Sequence, residues 1–137
     1  MDPKEFLAHR KNIAKTQRQM AALLGTSLKA VHSYEQGWRR IPTHVERQLL
    51  FLIVQRNSRT GESKPCWEQR ACPADQREQC PAWEFQTGQF CWFINGTICH
   101  GTVQKSWEKK MVLCRQCEVL MALLYPPEPE KGNMLRF

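Results

Sequence analysis

The chain has 137 residues, a formal net charge of +7 and seven cysteines. That length allows one domain or two small ones. No apolar run approaches the roughly 18–20 residues that span a bilayer, and the opening MDPKEFLAHRKN lacks the apolar region of a signal peptide. A soluble cytoplasmic protein without a membrane partner is the expectation, and in that compartment a cysteine cluster points first to metal or redox chemistry.

The charge is uneven. Residues 1–64 hold 12 Lys and Arg against 5 Asp and Glu, whereas residues 65–137 hold 8 of each. All seven cysteines lie from Cys66 onward. A basic half free of cysteine, joined to a neutral half rich in Cys and Trp, implies two tasks, one of which faces a polyanion.

In chain order, Pro3 suits a first helical turn, and Phe6, Leu7, Ile13 and Ala14 predict a helix from Lys4 to about Lys15. Thr16 with Gln19 three residues on forms a capping-box pattern. It opens the segment QRQMAALLG, which stops at Gly25. Ser27 is the next N-cap, opening LKAVHSYEQG, which ends at Gly37. Ala21, Leu23, Leu24 and Val31 are expected in the core. Pro42 and Thr43 announce HVERQLLFLIVQRN, whose Val45, Leu49, Leu50, Leu52, Ile53 and Val54 exceed one apolar stripe and predict a second face for a partner. The polar stretch at 58–64 reads as a linker. Beyond it come short pieces punctuated by Pro, Gly and Cys, a hairpin around Asn95-Gly96, a helix over about 105–124, and a flexible tail at 125–137. The predicted fold is mainly α. It comprises a four- to five-helix bundle over 1–57 and a small irregular cysteine-rich domain over 65–124, with a hairpin and a C-terminal helix.

A short helix, a glycine turn and a second helix make a helix-turn-helix, in which the second helix reads base edges in the major groove. The stretch TQRQMAALLGTSLKAVHSYEQGWRRIP resembles the phage-repressor and Cro class, also called the XRE family, at Thr16, Gln17, Ala21, Leu24, Gly25, Ser27, Val31, Tyr34, Glu35, Gly37 and Pro42. The resemblance implies a lambda-repressor-like helical bundle that binds a double-stranded DNA operator as a homodimer. It gives Gln17 the role of a phosphate anchor and places Ser27, Leu28, Lys29 and Ser33 on the exposed face of the recognition helix. Lys29 suits guanine O6 or N7. Leu28 departs from the polar residue of many relatives and suits a thymine methyl. Arg39 and Arg40, just after the helix, suit phosphates.

The cysteines run Cys66-x5-Cys72-x7-Cys80-x10-Cys91-x7-Cys99-x14-Cys114-x2-Cys117, with His100 adjacent. One explanation is structural zinc, which takes four thiolate or imidazole ligands; seven Cys and one His would fill two such sites. A second is an iron–sulfur cluster, whose width tolerates irregular ligand loops. The first two spacings, Cys66-x5-Cys72-x7-Cys80, resemble those of the Rrf2 class of iron–sulfur transcription regulators, and tryptophans beside Cys66 and Cys91 would shield a cluster from water. A third is bare thiol redox sensing at Cys114 and Cys117, near Lys109, Lys110 and Arg115. The pieces CWEQRAC, CPAW, FCWFINGTICHG and KKMVLCRQCEVL resemble a cysteine-rich "two-CW" domain of bacterial regulatory proteins. That resemblance implies a sensor or regulator without naming its ligand.

The expected function is a DNA-binding transcription regulator, not an enzyme, whose seven cysteines hold an iron–sulfur cluster that senses redox state or oxygen. The alternatives are a regulator with a structural zinc or dimerisation module and, as a minor reading, a thiol oxidoreductase using Cys114 and Cys117.

Overall fold

A computed structural model describes residues 1–58, 64–99 and 102–126. Among these the fold is mainly α, with nine helices and one two-stranded sheet. The chain divides into two compact units, Met1–Gln55 and Arg56–Phe137. The division falls ahead of the predicted linker, because the fourth helix continues through Asn57 to Ser58. Residues 59–63 of that linker, His100, and residues 127–137 of the predicted tail lie outside the described residues.

In the first unit each boundary has a local cause. Helix α1 (Pro3–Asn12) begins where the Asp2 side chain accepts the Glu5 N–H at 2.8 Å. It stops short of the predicted Lys15, because Ala14 turns left-handed at φ 56. Helix α2 (Gln17–Leu24) carries the predicted capping box, with Thr16 Oγ1 accepting from the Gln19 N–H and the Gln19 side chain accepting from the Thr16 N–H. Gly25, at φ 65, ends it. Ser27 Oγ accepts the Ala30 N–H at 3.0 Å to open α3 (Leu28–Gln36), and Gly37 closes it at φ 76. Each such cap is worth about 1 kcal/mol. Helix α4 (Thr43–Ser58) follows, with Val45, Leu49, Leu50, Ile53 and Val54 buried.

Phe6, Met20, Val31 and Tyr34 form the centre of this unit, with the Phe6 and Tyr34 rings edge to face at 5.8 Å. Leu23, predicted for the core, is 48% exposed. Met20 and Leu24, four residues apart, take the inner face of α2 and turn Leu23 outward. One buried charge ties the helices together. The Glu35 carboxylate, 3% exposed, accepts from Arg10 Nε of α1 and from Gln17 Nε2 of α2.

The second unit is built from shorter pieces. Three single-turn helices come first: α5 (Cys66–Gln69), α6 (Ala74–Arg77) and α7 (Pro81–Glu84). A 3-10 turn at Cys91–Phe93 follows, then strands β1 (Ile98–Cys99) and β2 (Thr102–Val103), paired antiparallel as Ile98 with Val103 and Cys99 with Thr102. The hairpin is therefore displaced from its predicted centre. Gly96, at φ 87, donates to Gln104 O at the open end of the ladder, so Asn95-Gly96 turns the chain into the hairpin rather than around its tip.

The predicted 105–124 helix is two, α8 (Trp107–Cys114) and α9 (Glu118–Leu124), broken at Cys114-Arg115-Gln116-Cys117. Trp92 is wholly buried against Phe90, Phe93 and Trp107, and Val119, Leu120, Leu123 and Leu124 complete the core. Asn57 Nδ2 donates to Leu123 O at 2.7 Å and covers the end of α9. At Gly88 the backbone passes so close that a Cβ would lie 2.4 Å from Pro65 Cβ, and the Gly88 carbonyl accepts from Cys66 N at 3.1 Å. A side chain at 88 would push Cys66 away.

Removing Arg10 leaves Glu35 buried with Gln17 alone. Arg10→Met is expected to cost about 3 kcal/mol, measured by chemical denaturation; a loss below about 1 kcal/mol would show that Glu35 is not held as a buried ion pair.

Candidate functional site

On the first unit, the α2–turn–α3 segment places most of the predicted contact residues outward. Ser27, Leu28, Lys29, Arg39 and Arg40 are exposed, Leu28 at 41%. The Ser27 hydroxyl oxygen is occupied as the N-cap of α3. Ser33 is only half-buried rather than fully outward, and it lies on the same strip as Ala30, which is buried. Gln17 differs most from its expected role, since its amide donates to Glu35 and its side chain is held by the unit's own charge network.

Sequence reasoning missed Trp38. It is 73% exposed, stands one residue past the left-handed Gly37, and meets the His32 ring edge-on at 5.4 Å. Arg39 beside it lies 6.0 Å from the Tyr34 ring centroid. The signal was a large aromatic in a basic stretch immediately after a helix stop.

The second unit contains a cavity of about 320 Å³, and all seven cysteines line it. They come from the ends of elements. Cys66 starts α5 and Cys91 starts the 3-10 turn. Cys99 ends β1 and Cys114 ends α8. Cys80 and Cys117 are the N-caps of α7 and α9. Cys72 precedes Pro73, the N-cap of α6. Trp67 and Trp83, edge to face at 5.0 Å, and Trp92 supply apolar wall.

The thiols are not equivalent. Cys91 and Cys66 share a thiol hydrogen bond, which lowers Cys66 below the ordinary thiol range and pushes Cys91 well above it. Burial raises Cys99, against a contact from Thr97 Oγ1 at 3.9 Å. Burial, with the neighbouring Cys80, Cys66 and Cys99, raises Cys72. Burial pushes Cys114 up to about 12, although Lys110 opposes it. Cys80 Sγ accepts the Ile98 N–H at 3.3 Å, and Cys117 Sγ accepts from Arg70 Nη1 at 3.2 Å.

Within the expected Cys114 and Cys117 pair, Cys114 sits in a site that works against its thiolate. Of the three cations invoked for it, Lys109 is exposed and Lys110 is turned into the wall. The buried Cys114 site disfavours its thiolate.

Lys110 is 0% exposed. Its ammonium donates to Cys91 O, Ile94 O and Thr97 Oγ1. Among the described residues no three Cys, His, Asp or Glu side chains converge on a point suited to one metal ion. The thiols surround a volume instead. A zinc ion takes four donors at about 2.0–2.3 Å, and an iron–sulfur cluster takes cysteine thiolates from irregular loops. Thiol donors, N–H groups aimed at sulfur and an aromatic wall are the surroundings that tune an iron–sulfur cluster, so the residues present fit that group. No family model, curated protein or solved structure matches the chain.

In the reduced, metal-free protein, brief alkylation near neutral pH is expected to label Cys66 well ahead of Cys114, because the thiolate is the reacting form. Peptide mapping by mass spectrometry checks this, and equal labelling of the two would contradict the assigned order.

Proposed function

We propose that the chain is a DNA-binding transcription regulator whose second unit holds an iron–sulfur cluster in the seven-cysteine cavity. The observation that carries this is the gathering of all seven cysteines, from segments spread over Cys66 to Cys117, on the wall of one cavity. Cysteines kept merely as small core residues would have no reason to share a wall. A bound cluster supplies one-electron redox chemistry. The chain's own part is to provide thiolate ligands, to exclude water with Trp67, Trp83 and Trp92, and to set cationic groups, Lys110 and Arg70, beside them.

For the first unit, the support is the capped helix pair with its left-handed glycine, the net charge of residues 1–64, and the outward Leu28, Lys29, Arg39 and Arg40. Lys29 reads base edges, Arg39 and Arg40 neutralise phosphates, and Trp38 adds an apolar contact to the backbone sugars. With Gln17 held by Glu35, its contribution to phosphate binding is through the orientation of α2 rather than a free amide. Two copies of the chain on a two-fold operator complete the proposal.

Anaerobic purification with metal and sulfide analysis tests the cavity: iron and acid-labile sulfide with broad visible absorption support it, and a colourless protein with stoichiometric zinc would overturn it. Selection of a binding site from random duplexes, followed by titration at several salt concentrations, tests the first unit. Affinity is expected to fall steeply with salt. Arg39→Ala and Arg40→Ala should each reduce the slope of log K against log[salt] by about 0.9, while Lys29→Ala should relax sequence preference by about 1–3 kcal/mol at one position. A flat salt response in the wild type would sink the DNA-binding reading.

A further inference from the structure

Lys110 is the least expected group in the second unit. It lies on α8 one turn before Cys114, has no exposed surface, and directs its ammonium into the wall of the thiol cavity. Its three N–H donors meet three neutral oxygens, those of Cys91, Ile94 and Thr97. Among the described residues no carboxylate is paired with Lys110, whose polar contacts are those three oxygens. A buried ammonium without a counter-charge is costly by several kcal/mol. The groups whose charges act on it are the thiols of Cys114, Cys91, Cys99 and Cys80, all on the same cavity. A positive group whose leading charged neighbours are potential thiolates fits a cavity whose occupant is negatively charged.

We propose that Lys110 is the fixed counter-cation of an anionic, thiolate-held centre, and that its charge raises the reduction potential of that centre. This rests on the cluster reading above. Lys110 is a positioning residue: it binds no metal, and it acts through the electric field at the centre and through the Cys91 carbonyl that it holds. When an external one-electron donor reduces the centre, one electron enters, no proton follows, and the negative charge rises by one. A cation fixed nearby favours that state. A lysine that merely fastened the 3-10 turn to α8 would hold the ligands in place without shifting the potential once the centre is bound.

The test compares wild type, Lys110→Met, Lys110→Gln and Lys110→Arg, each reconstituted anaerobically with ferrous iron and sulfide. Midpoint potentials are read by spectroelectrochemical titration, and iron and sulfide are counted per chain. The neutral variants are expected to bind the same amount of iron and sulfide at a lower potential, with Arg restoring the wild-type value. An unchanged potential in a loaded neutral variant overturns the proposal.

Lys110→Gln keeps an N–H donor for the three oxygens and is the variant to read if Met does not fold. If both neutral variants fail to fold while metal-free wild type folds, Lys110 is a structural fastening and the proposal falls. If the wild type takes up zinc and no iron or sulfide, the cluster reading fails on its own. The counter-cation is then judged by zinc affinity in chelator competition: at least tenfold weaker binding in Lys110→Met supports it, and equal affinity overturns it. Wild type that retains neither metal overturns both.

Discussion

Between Cys91 and Thr97 the chain makes only one short 3-10 turn, yet three of its oxygens are brought to a single group, the Lys110 ammonium. Buried backbone carbonyls must find donors, and here the donor comes from the side of α8 rather than from a neighbouring strand. That arrangement fixes Cys91 at one end of the segment and Thr97, which leads into β1 and Cys99, at the other. Trp92 is locked between them, its indole N–H donating to Gln89 O at 3.0 Å. The Lys110 side chain thus joins α8 to this stretch of the cavity wall, while single-turn helices such as α5, α6 and α7 fall far below the length at which a helix is stable alone.

The first unit obeys a different logic. Its helices are set by caps and by left-handed residues, and the Glu35 charge is answered within the unit. Glu35 draws Arg10 and Gln17 to the same carboxylate, so the starts of α2 and the end of α3 are aligned by a network that needs no ligand. The outward face is left to polar, basic and isolated apolar side chains. A surface of that kind, on a scaffold that holds itself, suits a binding role whose geometry is fixed in advance.

What was legible in the sequence follows from range. Thr16 with Gln19, Gly25, Ser27 and Gly37 act within four residues, and the elements they bound were read correctly from the residues alone. So was the mainly α class. Errors came where a distant group decides the outcome. Hydrophobicity alone puts Leu23 in the core, but Met20 and Leu24 own the inner face. Nor does the local sequence show that the Gln17 amide donates to Glu35, eighteen residues away. The 105–124 helix was drawn unbroken because its composition is helical, and nothing local reveals that Cys114 and Cys117 must both turn to a common cavity. By sequence Lys110 is one of several cations near the Cys114 and Cys117 pair. Its burial depends on three oxygens supplied from another part of the chain. That the seven cysteines share one cavity was likewise beyond spacing, which gives order along the chain and not closure in space.

The positions of the cysteines set the two units apart in how their helices are capped. Asp2, Thr16 and Ser27 each cap a helix in the first unit through a side-chain oxygen. In the second, Cys80 and Cys117 occupy N-cap positions without a capping hydrogen bond, and only Ser106, accepting from Lys109 N at 3.3 Å, follows the usual pattern. Sulfur is a weak acceptor, so each of these helices forgoes about 1 kcal/mol of capping. The gain is direction. A residue at the first turn of a helix has its Cα–Cβ vector set by the helix while standing clear of its packed face, and the prolines after Cys72 and Cys80 set the next helix start, Pro73 as N-cap of α6 and Pro81 as the first residue of α7. The sequence thus sacrifices local helix stability to aim thiols inward. On the proposed reading that loss is offset when the thiols become ligands, because the free energy of metal binding is then part of the free energy of folding.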